Sequence, residues 1–554
     1  MRTLKLHSGL ALRSSLATLL LAFFIAAPAW SASINLINID PAGVGFNDPT
    51  PATPVGGNPG TTIGEQRLAA YQRALDLWGS VLKSKVPIYV VGSFSSFPPE
   101  LCAGQVLARA GALQIFSNFP NAPKKDTWYA VALANSLAGE DLAPGELGPE
   151  DGFNGADILA QFNGGIGVAG CIPGSTWYYG LDNNPPPGAI DFLNTFMHEV
   201  AHGLGFANFI TETDGLPPAY PDFDYPDIYM RNTLDDVLNK TWDKLTPAQI
   251  VASATNTGHV VWSGKQVTKS ADDFLGPFTG LRITAPTSIA RDLETGNASF
   301  GPPASQSNFA GEVVLGVSTA NPADTTGCGP ISPVVAGKIA LVDRGVCSFL
   351  IKAQNAQAAG ASALLVANNA AGTIGMSGTD PNVTIPALMV SQQDGALIKA
   401  NLPGVTVAII VDPTRLAGAN SKHQVKLYAP AVIALGSSIS HFDTSAEPNL
   451  LMEPAITSSL HAGTNVDLTA QLFKDIGWPI ESLKIGSCDT KVPNVTPVGD
   501  IISAQVDQCR ADSSNRGQFV GCVGHIAIGL LQQHYVNLAE AARMVVCSAT
   551  VRNP

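Results

Sequence analysis

Charge is scarce in this 554-residue chain: Asp, Glu, Lys and Arg make up 14% of it, and the formal balance is -13. With no basic stripe the chain has nothing to offer a phosphate backbone, so nucleic acid is excluded as a partner class. Beyond the N-terminal leader no apolar run is long enough to span a bilayer. No C-x-x-C occurs among the eight cysteines, which argues against thiolate metal sites. Long helical bundles are not indicated either: 54 Gly and 40 Pro point to many turns and short strands instead. What is present is core material. A hydrophobic content of 45% describes a folded protein, and the length suggests two to four domains.

The N-terminus reads as a secretory signal over residues 1–32. Arg2, Lys5 and Arg13 supply a positive start, and 16–27 is apolar apart from Thr18. Small residues at Ala27, Ala29 and Ser31 then offer a cleavage site. The mature protein is expected to be secreted, extracellular or periplasmic, with no transmembrane segment left after cleavage. Cysteine usage fits that compartment. The cysteines fall in groups of two, two and four, so Cys102–Cys171 and Cys328–Cys347 are the expected bridges. Grouping leaves the pairing of Cys488, Cys509, Cys522 and Cys547 open.

The chemistry concentrates at His198-Glu199-Val200-Ala201-His202-Gly203-Leu204-Gly205-Phe206. Leu193, Met197, Val200 and Leu204 recur at helical spacing, which predicts a helix over 189–204. His198 and His202 are i, i+4 neighbours, so both imidazoles leave one face and can converge on an ion. Glu199 lies a step round that face, where it can act as a base without being a ligand. This is the H-E-x-x-H pattern of zinc peptidases. Gly203 and Gly205 are expected to end the helix in a left-handed turn. A catalytic zinc usually has three protein ligands and an open position, and the helix supplies two. The compact spacing H-E-x-x-H-x-x-G-x-x-H would put the third at 208, where this chain has Asn208, a poor zinc ligand.

Elsewhere the pattern predicts a helix over 64–83, strands over 87–91 and 157–162, and a helical stretch over 242–252. Trp262-Ser263-Gly264 reads as a turn. Asp222, Asp224 and Asp227 read as a solvated acidic loop, since their spacing matches no EF-hand. From about 281 the strands 338–342, 363–367 and 385–390 alternate with a helix over 349–359, which describes a small α/β unit. A further helix is expected over 468–476, and one helical region over 521–546.

Two resemblances organise these pieces. Gly337-Lys338-Ile339-Ala340-Leu341-Val342-Asp343-Arg344-Gly345-Val346-Cys347-Ser348-Phe349, then Ala358-Ala359-Gly360-Ala361 and Ile385-Pro386, resemble a protease-associated (PA) domain. That resemblance implies a non-catalytic insert, with Asp343 and Arg344 in structural roles. Ser440-His441-Phe442-Asp443 followed by Leu451-Met452-Glu453-Pro454 resembles the end of a leishmanolysin-type metzincin. It implies that His198, His202 and His441 bind zinc, that Glu199 is the general base and that Met452 lies in a turn beneath the metal. The expected fold is α+β: a metzincin-like catalytic domain in two parts (33–281 and 415–480), an inserted PA domain (282–414) and a disulfide-closed helical module (481–554). The implied function is a secreted zinc metalloendopeptidase acting on protein or peptide substrates, with Zn2+ as cofactor. The competing reading is an inactive or weakly active protease scaffold used as a secreted binding or adhesion protein. Keeping Glu199 beside the histidines favours the enzyme, since a pure binder needs no base there.

Overall fold

A computed structural model describes residues 2–5, 31–148, 153–210, 225–378, 380–457 and 459–552. The apolar leader over 16–27 and the acidic residues Asp222 and Asp224 lie outside the described residues; Asp227 is described and, against the expectation of a solvated loop, is buried, accepting from Phe209 N–H and Met230 N–H.

The first layer is a four-stranded sheet in the order Ile34–Asn38, Ile88–Ser95, Ile158–Asn163, Ala108–Ala112. The first three strands run parallel and the last is antiparallel. A 19-residue helix, Ile63–Val81, begins in a reciprocal capping box between Thr62 and Glu65. Ala70, Tyr71, Ala74, Leu77, Trp78 and Val81 turn its apolar stripe inward. It packs beside a second helix, Phe192–Gly203. Aromatic rings fill the space between helices and sheet: Tyr71 and Phe196 have centroids 3.9 Å apart, and Phe162 lies 5.1 Å from Phe192.

A seven-stranded sheet forms the second body, in the order Pro277–Ala285, Thr406–Leu416, Ala310–Leu315, Ile339–Asp343, Ala363–Ala367, Ala387–Val390, Thr295–Asn297. Four consecutive strands from Ala310–Leu315 to Ala387–Val390 are parallel, and the last three are near-continuous apolar runs because both of their faces are covered. Leu341 and Leu365 go into one core; Ala340, Val342, Leu364 and Val366 go into the other. The first and last long strands of this body pair with each other, from Pro277↔Leu416 to Ala285↔Thr406. The insertion therefore leaves and re-enters the chain at one place, where Ala417 N–H donates to Gly276 O at 2.9 Å. Within it, Asp343 pairs with Lys399 and Arg344 donates to Asn368 Oδ1 at 2.9 Å, both structural contacts.

The C-terminal stretch holds a hairpin, Ser482–Ile485 with Cys488–Pro493, and three helices with a core of their own. The disulfides are Cys102–Cys171, Cys328–Cys347, Cys488–Cys547 and Cys509–Cys522. Among the described residues no helix is long and apolar enough to cross a membrane.

Three local expectations are corrected. Trp262 is not in a turn: it ends the buried strand Val260–Trp262, and its indole N–H donates to Asp475. The stretch 242–252 is not one helix, because Thr246 and Pro247 start a fresh one, Pro247–Ser253, with Gln249 completing a capping box. The single helical region over 521–546 is two helices, Arg516–Gln532 and Leu538–Thr550, separated where His534 takes a left-handed φ of 61°. A third helix, Ile502–Asp512, precedes them.

Candidate metal centre

The helix Phe192–Gly203 starts three residues later than its sequence pattern suggests, because Ala189–Asp191 pairs as a strand with Thr176–Tyr178. Asp191 caps it, accepting from Asn194 N–H at 3.0 Å. Its first turn is tied to the chain that follows Met452. Asn194 Nδ2 donates to Leu460 O at 3.0 Å, and its Oδ1 accepts from Ala462 N–H at 2.9 Å. Indole N–H groups hold one backbone carbonyl in the helix and one just past its end: Trp78 donates to Met197 O at 2.9 Å and Trp478 to Leu204 O at 2.8 Å. The helix closes with Phe206 N–H on Ala201 O at 3.0 Å while Gly205 takes φ of 113°, the left-handed end that L side chains resist. Gly203 does something else. It is still helical, and a Cβ there would come within 2.3 Å of Ile158 Cγ2 on the sheet. The glycine lets the helix lie directly on that strand.

The structure brings His198, His202 and His441 together. Their Nε2 atoms form a triangle with sides of 3.1 Å (His198 to His202), 3.2 Å (His198 to His441) and 3.2 Å (His202 to His441). His441 stands 239 residues after His202. All three rings are buried. Each Nδ1 faces a carbonyl: His198 donates to Leu451 O at 2.7 Å, His202 to Phe206 O at 2.8 Å and His441 to Ser437 O at 2.7 Å. A carbonyl can only accept, so each Nδ1 carries the proton and each Nε2 presents a lone pair. Three lone pairs at this separation repel one another and cannot hydrogen-bond. A cation at their centre is what such a donor set fits. A tetrahedral zinc with Zn–N of about 2.0–2.1 Å has an N···N edge of about 3.3 Å, close to the triangle observed. Burial and mutual repulsion keep the imidazoles neutral, as ligands must be. His198 is pushed down to about 3 by burial and the His202 charge, His202 to about 4 by burial, and His441 well below its ordinary value. Among the described residues this is the one group of three or more His, Cys, Asp or Glu side chains able to share an ion.

Glu199 is 7% exposed, and its carboxylate accepts no hydrogen bond from a described residue. Burial alone raises it to about 8. Met452 is fully buried in the turn that supplies Leu451 O to His198, and its carbonyl accepts from Phe442 N–H at 2.8 Å. Glu453, which the sequence did not single out, closes that turn by accepting from Leu450 N–H at 2.8 Å and Asn449 Nδ2 at 3.0 Å. Asn208 points away from any ligand role: its Nδ2 donates to Ser440 Oγ at 3.0 Å, so it holds the residue beside His441. His423 and His259 sit at the surface against Asp272 and Asp236.

Comparison with known proteins adds one assignment. Residues 309–398 match the PA domain family. The chain is 42% identical over 87 residues to signal peptide peptidase-like 2 of Arabidopsis thaliana, covering 15% of this chain and 16% of that protein. It is 33% identical over 154 residues to vacuolar-sorting receptor 2 of the same plant, covering 25% of each. It is 32% identical over 142 residues to the probable lipoprotein aminopeptidase LpqL of Mycobacterium tuberculosis, covering 24% of this chain and 28% of that protein. The chain thus spans about a quarter or less of the length of these relatives. Among solved structures, the zinc aminopeptidase BSAP from Bacillus subtilis superposes at a TM-score of 0.19 and 21% identity, covering 26% of this chain and 36% of that one. A TM-score that low carries no argument about the rest of the molecule. The chain contains a PA domain, over residues 309–398.

Proposed function

We propose that the protein is a secreted zinc-dependent metalloendopeptidase, a leishmanolysin-like metzincin interrupted by its PA domain. The observation that carries this reading is the triangle of three buried Nε2 atoms, each ring turned to it by a carbonyl at its Nδ1, with Glu199 next to His198 on the same helix. His198, His202 and His441 would hold the metal. Bound there, zinc would acidify the attacking water and polarise the scissile carbonyl. Glu199 is the general base: a carboxylate that accepts no hydrogen bond from a described residue takes the water's proton and returns it to the leaving amine. Burial alone would leave Glu199 protonated at neutral pH, and a cation beside it favours the ionised form that a base requires. Leu451 O, Phe206 O and Ser437 O each keep a ring in the tautomer that leaves Nε2 free. The PA domain brings no catalytic group and suits recognition of large substrates; part of this chain is similar to proteins named as peptidases and as sorting receptors. Four disulfides suit an exported chain.

Digestion of casein and of a peptide library, with and without a chelator, tests the proposal. Cleavage should stop on chelation and return with added zinc. Glu199→Ala should keep the metal and lose about 100- to 10,000-fold in turnover. Undiminished hydrolysis by that variant would remove Glu199 from the mechanism.

A further inference from the structure

The three ring supports differ in kind. His202 leans on Phe206 O, four residues along at its own helix end, and His441 on Ser437 O, four residues back. His198 leans on Leu451 O, 253 residues away. Its orientation therefore depends on where a distant turn sits. Two buried carboxyl groups hold successive amides of that turn. Glu453 accepts from Leu450 N–H, and Asp467 Oδ2 accepts from Leu451 N–H, the residue whose carbonyl receives the imidazole. Asp467 is itself fixed: Oδ1 accepts from Thr469 N–H at 2.9 Å and Thr469 Oγ1 at 2.7 Å, and its own N–H donates to Asn465 Oδ1 at 2.6 Å. It is 4% exposed and adopts φ of 42°.

We propose that Asp467 is a positioning residue, fixing the tautomer and ring orientation of His198 through Leu451. The inference rests on the proposed metal site, but its first readout does not need the metal. A carboxylate offers acceptors on both oxygens, so it can hold the turn and the Thr469 cap at once. An amide in its place has one acceptor oxygen and must release one of the two. Leu451 then drifts, and the constraint on His198 Nδ1–H loosens.

Histidine-selective 15N labelling of the metal-free protein, with His198 assigned from a His198→Gln variant, reads the tautomer directly. In Asp467→Asn the His198 Nδ1–H signal should lose its protection from exchange, while those of His202 and His441 persist. Zinc affinity, measured by competition with a chelator, should fall about 10- to 100-fold, the usual effect of losing an outer support. Thr469→Val keeps the carboxylate but removes one bond that fixes it. It should move the same signal less far, and it answers the question if Asp467→Asn does not fold. An unchanged His198 signal in the folded variants, or loss of all three signals together, would overturn the proposal. If the wild-type protein takes up no zinc, the functional reading fails, yet the His198 signal still decides the role of Asp467.

Discussion

Gly203→Ala separates two roles that one glycine can have in this helix. In an exposed helix interior the exchange gains about 1 kcal/mol from helix propensity. Here the new methyl would lie 2.3 Å from Ile158 Cγ2, 2.8 Å from Cγ1 and 2.9 Å from Cδ1. Carbon atoms settle at about 3.5–4.0 Å, so helix and strand must part by roughly 1 Å. Ile158 is fully buried and presents all three outer carbons, so no single rotation clears the space. Overpacking of this kind costs about 1–3 kcal/mol or more. Set against the propensity gain, the net expectation is a loss of up to about 2 kcal/mol, or up to about 8 °C in the Tm of the unit that contains the helix. Gly203 follows His202 directly, and a shift of about 1 Å in a catalytic group can cost about 100-fold in rate. Calorimetry with peptidase assays reads both effects. A double-mutant cycle with Ile158→Ala should show a favourable coupling of about 1–3 kcal/mol, because removing the isoleucine makes room for the methyl. If Gly203→Ala raises Tm and keeps full activity, the close approach of helix to sheet is refuted.

Two further outcomes follow from the fold. Asp157 is raised to about 7, chiefly by burial, so between about pH 4 and 7 the folded protein keeps a proton that the unfolded chain has lost. This group's contribution therefore declines as pH rises through that window, by an amount on the order of 4 kcal/mol. The stability difference between wild type and Asp157→Asn cancels the other titrating groups, and urea unfolding of metal-free protein should show the variant gaining on wild type from pH 4 to 8; a flat difference would contradict the assignment. Separately, replacing 278–415 by a short Gly/Ser linker should leave zinc binding intact, because Gly276 and Ala417 are already hydrogen-bonded neighbours. Metal analysis of the purified shortened protein checks this, and failure to bind zinc would make the insert part of the site's scaffold.

The site helix was legible because its information is local: a 3.6-residue apolar period, two histidines four apart and a glycine exit. Gly203 was misjudged for the same reason. The pattern suggested a terminator, and only the position of Ile158, far back in the sequence, reveals a packing role. His441 came from resemblance to a motif. No spacing rule reaches across 239 residues, and the pairing of Pro277 with Leu416 that closes the distance is a tertiary fact. The sequence reads Asn208 only as a poor ligand, and its hold on Ser440 depends on that same closure. Glu453 and Asp467 were passed over because a buried carboxyl serving backbone amides leaves no periodic trace. Three parallel strands of the insert stand out as apolar runs, whereas Ala310–Leu315, broken by Gly311 and Glu312, does not; nor does Ile502–Asp512, since its buried positions Ile502, Val506 and Cys509 are spread among polar residues. Thr246-Pro247 and Gln249 were a readable start signal that the broader 242–252 pattern obscured.

The central claim is the ligand set. X-ray absorption at the zinc edge, on wild type and on His441→Ala, tests it most directly. Wild type should show one zinc per chain with three imidazole nitrogens at about 2.0–2.1 Å. His441→Ala should show two imidazoles, with weakened retention on dialysis, while His423→Ala and His259→Ala match wild type. A wild-type spectrum with fewer than three imidazoles, or a His441→Ala spectrum identical to it, would contradict the account.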